Sequence, residues 1–257
     1  MKNILLLLAI GMTSQLFGQL SGEIKYKTKI NMHKNLPDTE RGEMMRSFIP
    51  EFMEFENQLL FTDHETLYSN VQEEEDETAN FENEGKGHRF MMKRMAPASD
   101  IVYTNTQKSQ VIQKKEFMDK VFLIKDSLDL SRWKLTGESK EVSGMSCMKA
   151  ESIPTESDTN KVVVWFTPEI QVSSGPGGYG GLPGLIVFVD INDGHTQISL
   201  SSIVMRDVTT EEISEPKKGK VVTQEEFDDM RRKKMEQQKK QWEASGKGGP
   251  HHVIIKH

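Results

Sequence analysis

Three glycines in the segment 173–197 have the spacing of a phosphate-binding loop. Gly175, Gly177 and Gly180 form the pattern G-x-G-x-x-G. In dinucleotide-binding folds such glycines follow a strand and open a helix whose N-terminus faces the phosphates. Here they are followed by LIVFVDI, an apolar, β-branched run typical of a strand, and Gly180 is not followed by the Lys-Ser or Lys-Thr of a Walker A loop. The sequence therefore predicts a turn that leads into a strand, not a nucleotide site.

Two groups of side chains are of types that suit a metal ion. Histidine and methionine recur at positions i, i+3, i+4 and i+7 of one segment, and three histidines stand close together near residue 257. The candidate ligands are His88, Met91, Met92, Met95, His251, His252 and His257. Methionine with histidine suits a soft ion such as Cu(I), but the same spacing is typical of a small apolar stripe packed on a sheet, and chain ends are usually mobile. We favour the packing interpretation and predict no cofactor.

Cys147 is the only cysteine, so an internal disulfide is excluded. Its neighbours Ser146 and Met148 offer no charge that would activate a thiolate, so we expect a buried thiol; a reactive thiol is the alternative. The motifs G-x-S-x-G, H-E-x-x-H and C-x-x-C do not occur. No catalytic group can be named from the sequence, and we expect a protein that is not an enzyme.

The first eighteen residues have the layout of a secretory signal peptide. Lys2 precedes the apolar run ILLLLAIGM, and the segment ends in the small residue Gly18. The apolar run is too short to cross a bilayer comfortably. We predict a signal peptide over 1–18 and a mature chain that begins at Gln19, is exported to the periplasm or secreted, and has no transmembrane span after signal removal.

Strand signals dominate the remaining sequence. Residues 22–32 alternate strictly, with Ile24, Tyr26, Thr28 and Ile30 on one face. Short apolar runs recur from position 101 to 205, and Asp193-Gly194 is a strong hairpin signal. We predict a mainly β fold, a curved antiparallel sheet or open barrel built as a meander of hairpins, with a peripheral C-terminal helix.

The composition divides the chain into one β domain and a polar C-terminal part. We predict the β domain over 19–208, with a polar insert near 72–98 that contains five consecutive acidic residues. A linker follows over 209–222, then an exposed amphipathic helix over 223–245 that opens with a capping box, and a Gly/His tail or edge strand over 246–257.

The glycine-rich segment ends in an unusually apolar turn. Leu-Pro-Gly-Leu at 182–185 predicts a type II turn, because proline suits its second position and glycine its third. Apolar residues around a turn must be buried or must meet a ligand or partner. The candidate binding residues are Gly175, Pro176, Tyr179, Gly181, Leu182, Pro183, Gly184, Leu185, Ile186 and Trp165.

The hexapeptide at 181–186 and its surroundings resemble the GLPGLI family of secreted proteins. The resemblance covers roughly 22–205 and extends to Trp133, Gly144, Cys147, Ala150, Trp165, Phe166, Thr167, Glu169, Ile170, Gly175 and Pro176. It implies export by a Gram-negative bacterium, to the periplasm. The family has no established activity and supplies no catalytic residues. Its pattern is similar to that of periplasmic carriers built as a curved, half-open antiparallel sheet, which is an analogy of fold alone.

These observations favour a binding role. The net charge of −6, without a concentrated basic face, argues against nucleic acid as a partner. We predict a non-catalytic periplasmic binding or envelope-accessory protein that presents an apolar cavity or the glycine-rich loop to a lipid-like molecule or an envelope protein. The alternative is a protein that handles copper or zinc through its methionines and histidines.

Overall fold

The computed structural model describes residues 20–71, 100–128, 132–154 and 159–244. The predicted signal peptide, the insert near 72–98 and the tail over 246–257 lie outside these ranges. The described residues form strands β1 (Gly22–Asn31), β2 (Phe52–Phe61), β3 (Glu65–Asn70), β4 (Ile101–Asn105), β5 (Gln110–Phe117), β6 (Lys120–Ser127), β7 (Trp133–Val142), β8 (Met145–Ser152), β9 (Val162–Thr167), β10 (Leu185–Ile191), β11 (Thr196–Met205) and β12 (Lys220–Val222), and helices α1 (Glu40–Phe48) and α2 (Gln224–Ala244).

All twelve strands form one sheet in the order β12-β6-β5-β4-β3-β2-β1-β11-β10-β9-β8-β7. Neighbouring strands are antiparallel except β12, which runs parallel to β6. The predicted mainly β fold with a C-terminal helix is confirmed. The sheet is not closed into a barrel: among the described strands, β12 and β7 lie at its two edges. Residues 220–222, which the sequence analysis assigned to a linker, form strand β12.

The chain connectivity requires the sheet to curve strongly. Strand β6 is next to one edge and β7 is the other edge, yet β6 ends at Ser127 and β7 begins at Trp133. Six residue steps span at most about 20 Å of extended chain. The two edges of the sheet must therefore lie close together in space, although many hydrogen-bonded strands separate β6 from β7 within the sheet.

The alternation predicted for residues 22–32 organises the core. Ile24 and Tyr26 are fully buried, whereas Lys27 is exposed and forms a salt bridge with Glu54 on β2. Cross-strand register carries the buried face from Tyr26 through β2 to Tyr68 on β3 and Val102 on β4. We call this the inner face. Burial of these apolar and aromatic side chains provides the main stabilisation of the sheet.

The hairpin β10–β11 closes at the Asp-Gly pair, as predicted. Asn192, Asp193 and Gly194 all have positive φ, 53°, 54° and 87°, and the amide of His195 donates to the carbonyls of Ile191 at 3.1 Å and Asn192 at 3.3 Å. The last paired residues are Ile191 and Thr196, so the loop is longer than the two-residue type I′ connection that an Asp-Gly pair most often forms.

Helix α2 begins with the predicted capping box. The hydroxyl of Thr223 accepts from the amide of Glu226 at 3.1 Å, and the Glu226 carboxylate accepts from the amide of Thr223 at 2.9 Å. Phe227 packs against Phe122 and Phe117 of the sheet and is buried. No helix in the described ranges has both the length and the apolar character needed to cross a membrane.

Candidate functional site

The connection between β9 and β10, residues 168–184, leaves the sheet and lies on its inner face. It contains one 3₁₀ turn, Pro176–Gly178, which contacts β3 and β4. The approach is close, because a Cβ on Gly178 would lie 3.3 Å from Cγ1 of Val102. The glycine-rich segment therefore reaches across the curved sheet from one half to the other.

The loop is held by its own backbone hydrogen bonds. Ser174 and Gly180 form an isolated antiparallel bridge, and the amide of Gly181 donates to the carbonyl of Ser173 at 2.8 Å. The amide of Tyr179 donates to the carbonyl of Pro176 at 3.1 Å. No α-helix begins at the glycines in this described segment, in agreement with the turn interpretation of the sequence.

The turn at 182–185 is not of type II, so this detail of the sequence analysis is wrong. The amide of Gly184 donates to the carbonyl of Leu182 at 2.9 Å, which closes a three-residue turn around Pro183. The amide of Leu185, which would close a type II turn, donates instead to the carbonyl of Ile170 at 3.0 Å. Gly184 has a φ of 146°, positive as predicted but far from the roughly +80° of a type II turn.

The apolar residues of the loop are in the core. Leu182 is 3% exposed, and Leu185 and Ile186 are fully buried. Gly175 is buried beside them, and a Cβ on it would lie 2.8 Å from Cδ1 of Ile186. Of the two alternatives for an apolar turn, burial or contact with a ligand or partner, Leu182 shows burial: its side chain fills the inner face, because the sheet curves around the loop.

The rim of the loop is a half-exposed aromatic corner, formed by Arg132, Trp133 and Tyr179. The rings of Trp133 and Tyr179 meet edge to face, with centroids 6.2 Å apart. The Trp133 indole donates to the carbonyl of Gly180 at 2.7 Å. The guanidinium of Arg132 lies 5.3 Å from each ring centroid.

Two buried tyrosines of the inner face lie next to the loop. The hydroxyl of Tyr26 donates to the carbonyl of Ile186 at 2.8 Å, and its ring meets that of Tyr68 edge to face at 6.5 Å. Burial raises the pKa of both phenols, and a neighbouring tyrosine raises the pKa of each further. Both phenols therefore remain neutral hydrogen-bonding groups.

The remaining predicted loop residues divide by exposure. Pro176 is buried and Gly181 half-buried, whereas Pro183 is exposed. Trp165 is not part of the loop: the strand register pairs it with Phe188 and Lys149 on the opposite, outer face, and the ammonium of Lys140 lies 4.0 Å from its ring centroid. It is only 8% exposed and belongs to the same buried cluster as Leu182.

The metal candidates His88, Met91, Met92, Met95, His251, His252 and His257 all lie outside the described residues. Within the described ranges, no three His, Cys, Asp or Glu side chains come together as a group that could hold a metal ion. Cys147 is buried as predicted, and burial raises the pKa of its thiol.

The sequence analysis did not single out Arg132, which lies in the aromatic corner, or Leu135. Leu135 is 52% exposed on the edge strand β7. The available signal was the run RWKLT, in which aromatic and apolar residues alternate with bases. An alternating pattern does not reveal that a strand is an edge.

Comparison with protein families gives one partial match. A family model described as "Protein of unknown function (Porph_ging)" matches residues 151–187. These residues run from the end of β8 through β9 and the loop into β10. The matched family has no described function. No curated protein matches the chain, and the resemblance to the GLPGLI family stays a prediction.

Solved structures resemble the fold. Two crystal structures of PNGF-II, in space groups P21 and C2, each match with a TM-score of 0.52 and 16% identity over 82% of this chain. An uncharacterized conserved protein from Thermus thermophilus matches with a TM-score of 0.37 and 6% identity, over 80% of this chain and 92% of its own. This chain spans only 33% and 32% of the two PNGF-II chains. At this identity the PNGF-II likeness concerns the fold alone.

Proposed function

We propose that this protein is an exported, non-catalytic binding protein of the bacterial envelope, and that it engages a protein partner through the aromatic corner of its glycine-rich loop. The observation that carries the proposal is the combination of a buried loop and a half-exposed rim. Leu182 and Ile186 anchor the loop in the core, while Tyr179, Trp133 and Arg132 remain at the surface.

The composition of the corner supports a protein partner. Tryptophan, tyrosine and arginine are the residues that most often dominate the binding energy of protein interfaces. A rigid support reduces the entropy lost on binding, and the hydrogen bond from Trp133 to Gly180 supplies such a support.

A protein partner is favoured over a lipid-like molecule enclosed by the loop. Three of the candidate binding residues, Leu182, Leu185 and Ile186, occupy the inner face themselves. A ligand of that kind would have to displace them, at the cost of the core packing they provide. The metal-handling alternative rests on residues that the structure does not describe.

Site-specific cross-linking in the intact envelope tests this proposal. Tyr179→p-benzoylphenylalanine places a photoreactive group on the corner, and Val204→p-benzoylphenylalanine is the matched control, because Val204 is 52% exposed on β11. We expect one discrete protein adduct at position 179 that is missing at 204. Adducts with lipid, equal adducts at both positions, or none at 179 would refute the proposed role.

A further inference from the structure

Among the described residues, strand β7 ends the sheet and pairs with a strand on one side only. Its pairing with β8 determines which of its backbone groups face outward. The amide of Ile153 donates to the carbonyl of Arg132 at 2.8 Å, so Arg132 is in a hydrogen-bonded pair. Because such pairs alternate in antiparallel ladders, Lys134 also bonds to β8, while the N–H and C=O groups of Trp133 and Leu135 point away from it.

The same two residues carry their side chains on the inner face. Trp133 pairs with Ser152 and Leu135 with Ala150, whose side chain is buried in the core. Leu135 is 52% exposed and Met148, on the same face of β8, is 38% exposed. An added strand would thus find backbone partners and an apolar stripe that continues from the aromatic corner.

The second half of β7 is unsuited to such pairing. A bulge lies between Leu135 and Ser139, where Gly137 has a φ of 80°. Within it, Glu138 is held in a salt bridge with Lys149 at 2.9 Å. Bulges and paired charges protect natural edge strands from unwanted pairing, so the accessible stretch is limited to residues 132–136.

The charge of Lys134 on the outer face of β7 determines which side chains of a partner are favoured there. Lys134 is exposed there and forms no ion pair with any described residue, whereas Glu151 opposite it is bonded to Lys149 at 3.0 Å. A segment that pairs along β7 would place its alternate side chains beside the Lys134 ammonium, a position that favours a carboxylate.

We infer that residues 132–136 of β7 accept an extended segment of the protein partner as an added strand, in which apolar residues facing Leu135 alternate with acidic residues facing Lys134. This inference rests on the proposed function, since it specifies how a protein partner binds beside the aromatic corner. The chain has a net charge of −6, which repels an acidic segment. The local attraction of Lys134 must exceed this repulsion for the segment to bind.

Two end-capped octapeptides are suitable probes, one alternating valine with glutamate and the other valine with lysine. In NMR titrations of the mature protein we expect the glutamate peptide to bind about tenfold more tightly than the lysine peptide. The Trp133 and Leu135 amides should become protected from hydrogen exchange, while the Lys134 amide, already bonded to β8, should not change.

Two variants sharpen the test. Lys134→Glu should reverse the preference between the peptides. Leu135→Pro removes an outward N–H without touching the β7–β8 ladder and should abolish binding, whereas the control Leu135→Ala keeps that N–H and should weaken binding only partly. If Leu135→Pro does not fold, the charge reversal and the exchange pattern decide the result.

Equal binding of the two peptides, no binding, protection of Lys134 instead of its neighbours, or an unchanged preference in Lys134→Glu would overturn the inference. Cross-linking at position 179 without peptide binding would remove the edge-strand inference alone. Peptide binding without a protein adduct at 179 would remove the proposed role of the corner alone.

Discussion

At the scale of single residues, Gly184 is the loop position at which a side chain is most strictly excluded. Its φ is 146°, and a Cβ there would overlap the carbonyl oxygen of Thr167. Both the backbone conformation and the space exclude a side chain. Pro183 beside it is exposed, and its contribution is mainly to restrict the unfolded chain.

We expect Gly184→Val to lower the free energy of unfolding by at least about 3 kcal/mol, as backbone strain and overlap act together. Pro183→Ala, the matched control, should cost only about 0.4–1 kcal/mol. Urea unfolding of both variants measures the difference. Equal losses would mean that the loop can move away from Thr167.

Cys147 provides a second prediction at this scale. Its side chain is fully buried and burial raises the pKa of the thiol, so the reactive thiolate is both scarce and inaccessible. A thiol reagent should label the native protein roughly tenfold more slowly, or slower still, than the protein in urea. Labelling at the rate of free cysteine would show that the thiol is reactive.

At the scale of elements, the β10–β11 hairpin is tied to the segment that follows β1. His195 is 7% exposed, and its Nε2 lies 2.8 Å from Nδ2 of Asn35, while Nδ1 lies 3.1 Å from the Thr196 hydroxyl. The carbonyl of His195 accepts from the amide of Asn31 at 2.8 Å. The hairpin end therefore depends on a neutral imidazole.

Burial lowers the pKa of His195 below 6.5, and the charge of Lys34 lowers it further. The unfolded chain then binds the proton at a higher pH than the native protein does, so stability is complete above about pH 6.5 and is lost as the pH falls below it. His195→Gln should flatten the pH dependence of the melting temperature between about pH 7 and 5.5. The control His64→Gln, at an exposed position, should retain it; a similar flattening in both would contradict this assignment.

Local sequence patterns were sufficient to predict several individual elements. The alternation around Tyr26, the Asp193-Gly194 hairpin and the Thr223–Glu226 cap each depend on residues close in sequence, and each is confirmed. The parallel pairing of β12 with β6 and the burial of Leu182 were not predictable in this way. Both depend on how distant strands meet when the sheet curves, and a local pattern contains no information on that.

At the scale of the whole molecule, the curved sheet and the loop are parts of one packing unit. The sheet brings β3 and β4 opposite the β9–β10 connection, and the loop fills the space between them. This arrangement leaves the aromatic corner beside the open edge of β7, so the proposed partner surface follows from the curvature.

The proposed compartment has its own test. If the segment 1–18 is removed on export, peptide mapping of the protein from its native envelope should give Gln19 as the first residue, within a few positions. Protein that retains Met1 in the cell interior would contradict the proposal of an exported protein.

The central claim is that the loop is anchored by Leu182 and presents Tyr179 to a protein partner. The measurement that tests it most directly is the yield of the complex that a lysine-reactive chemical cross-linker captures in intact cells, compared between the unaltered protein and Tyr179→Ser, with the melting temperature recorded for the same variant and for Leu182→Ser. We expect Tyr179→Ser to lose most of the complex while costing only about 1–2 kcal/mol of stability, and Leu182→Ser to cost about 3–5 kcal/mol because a polar group replaces a buried leucine. A full yield of complex from a folded Tyr179→Ser protein would contradict the account.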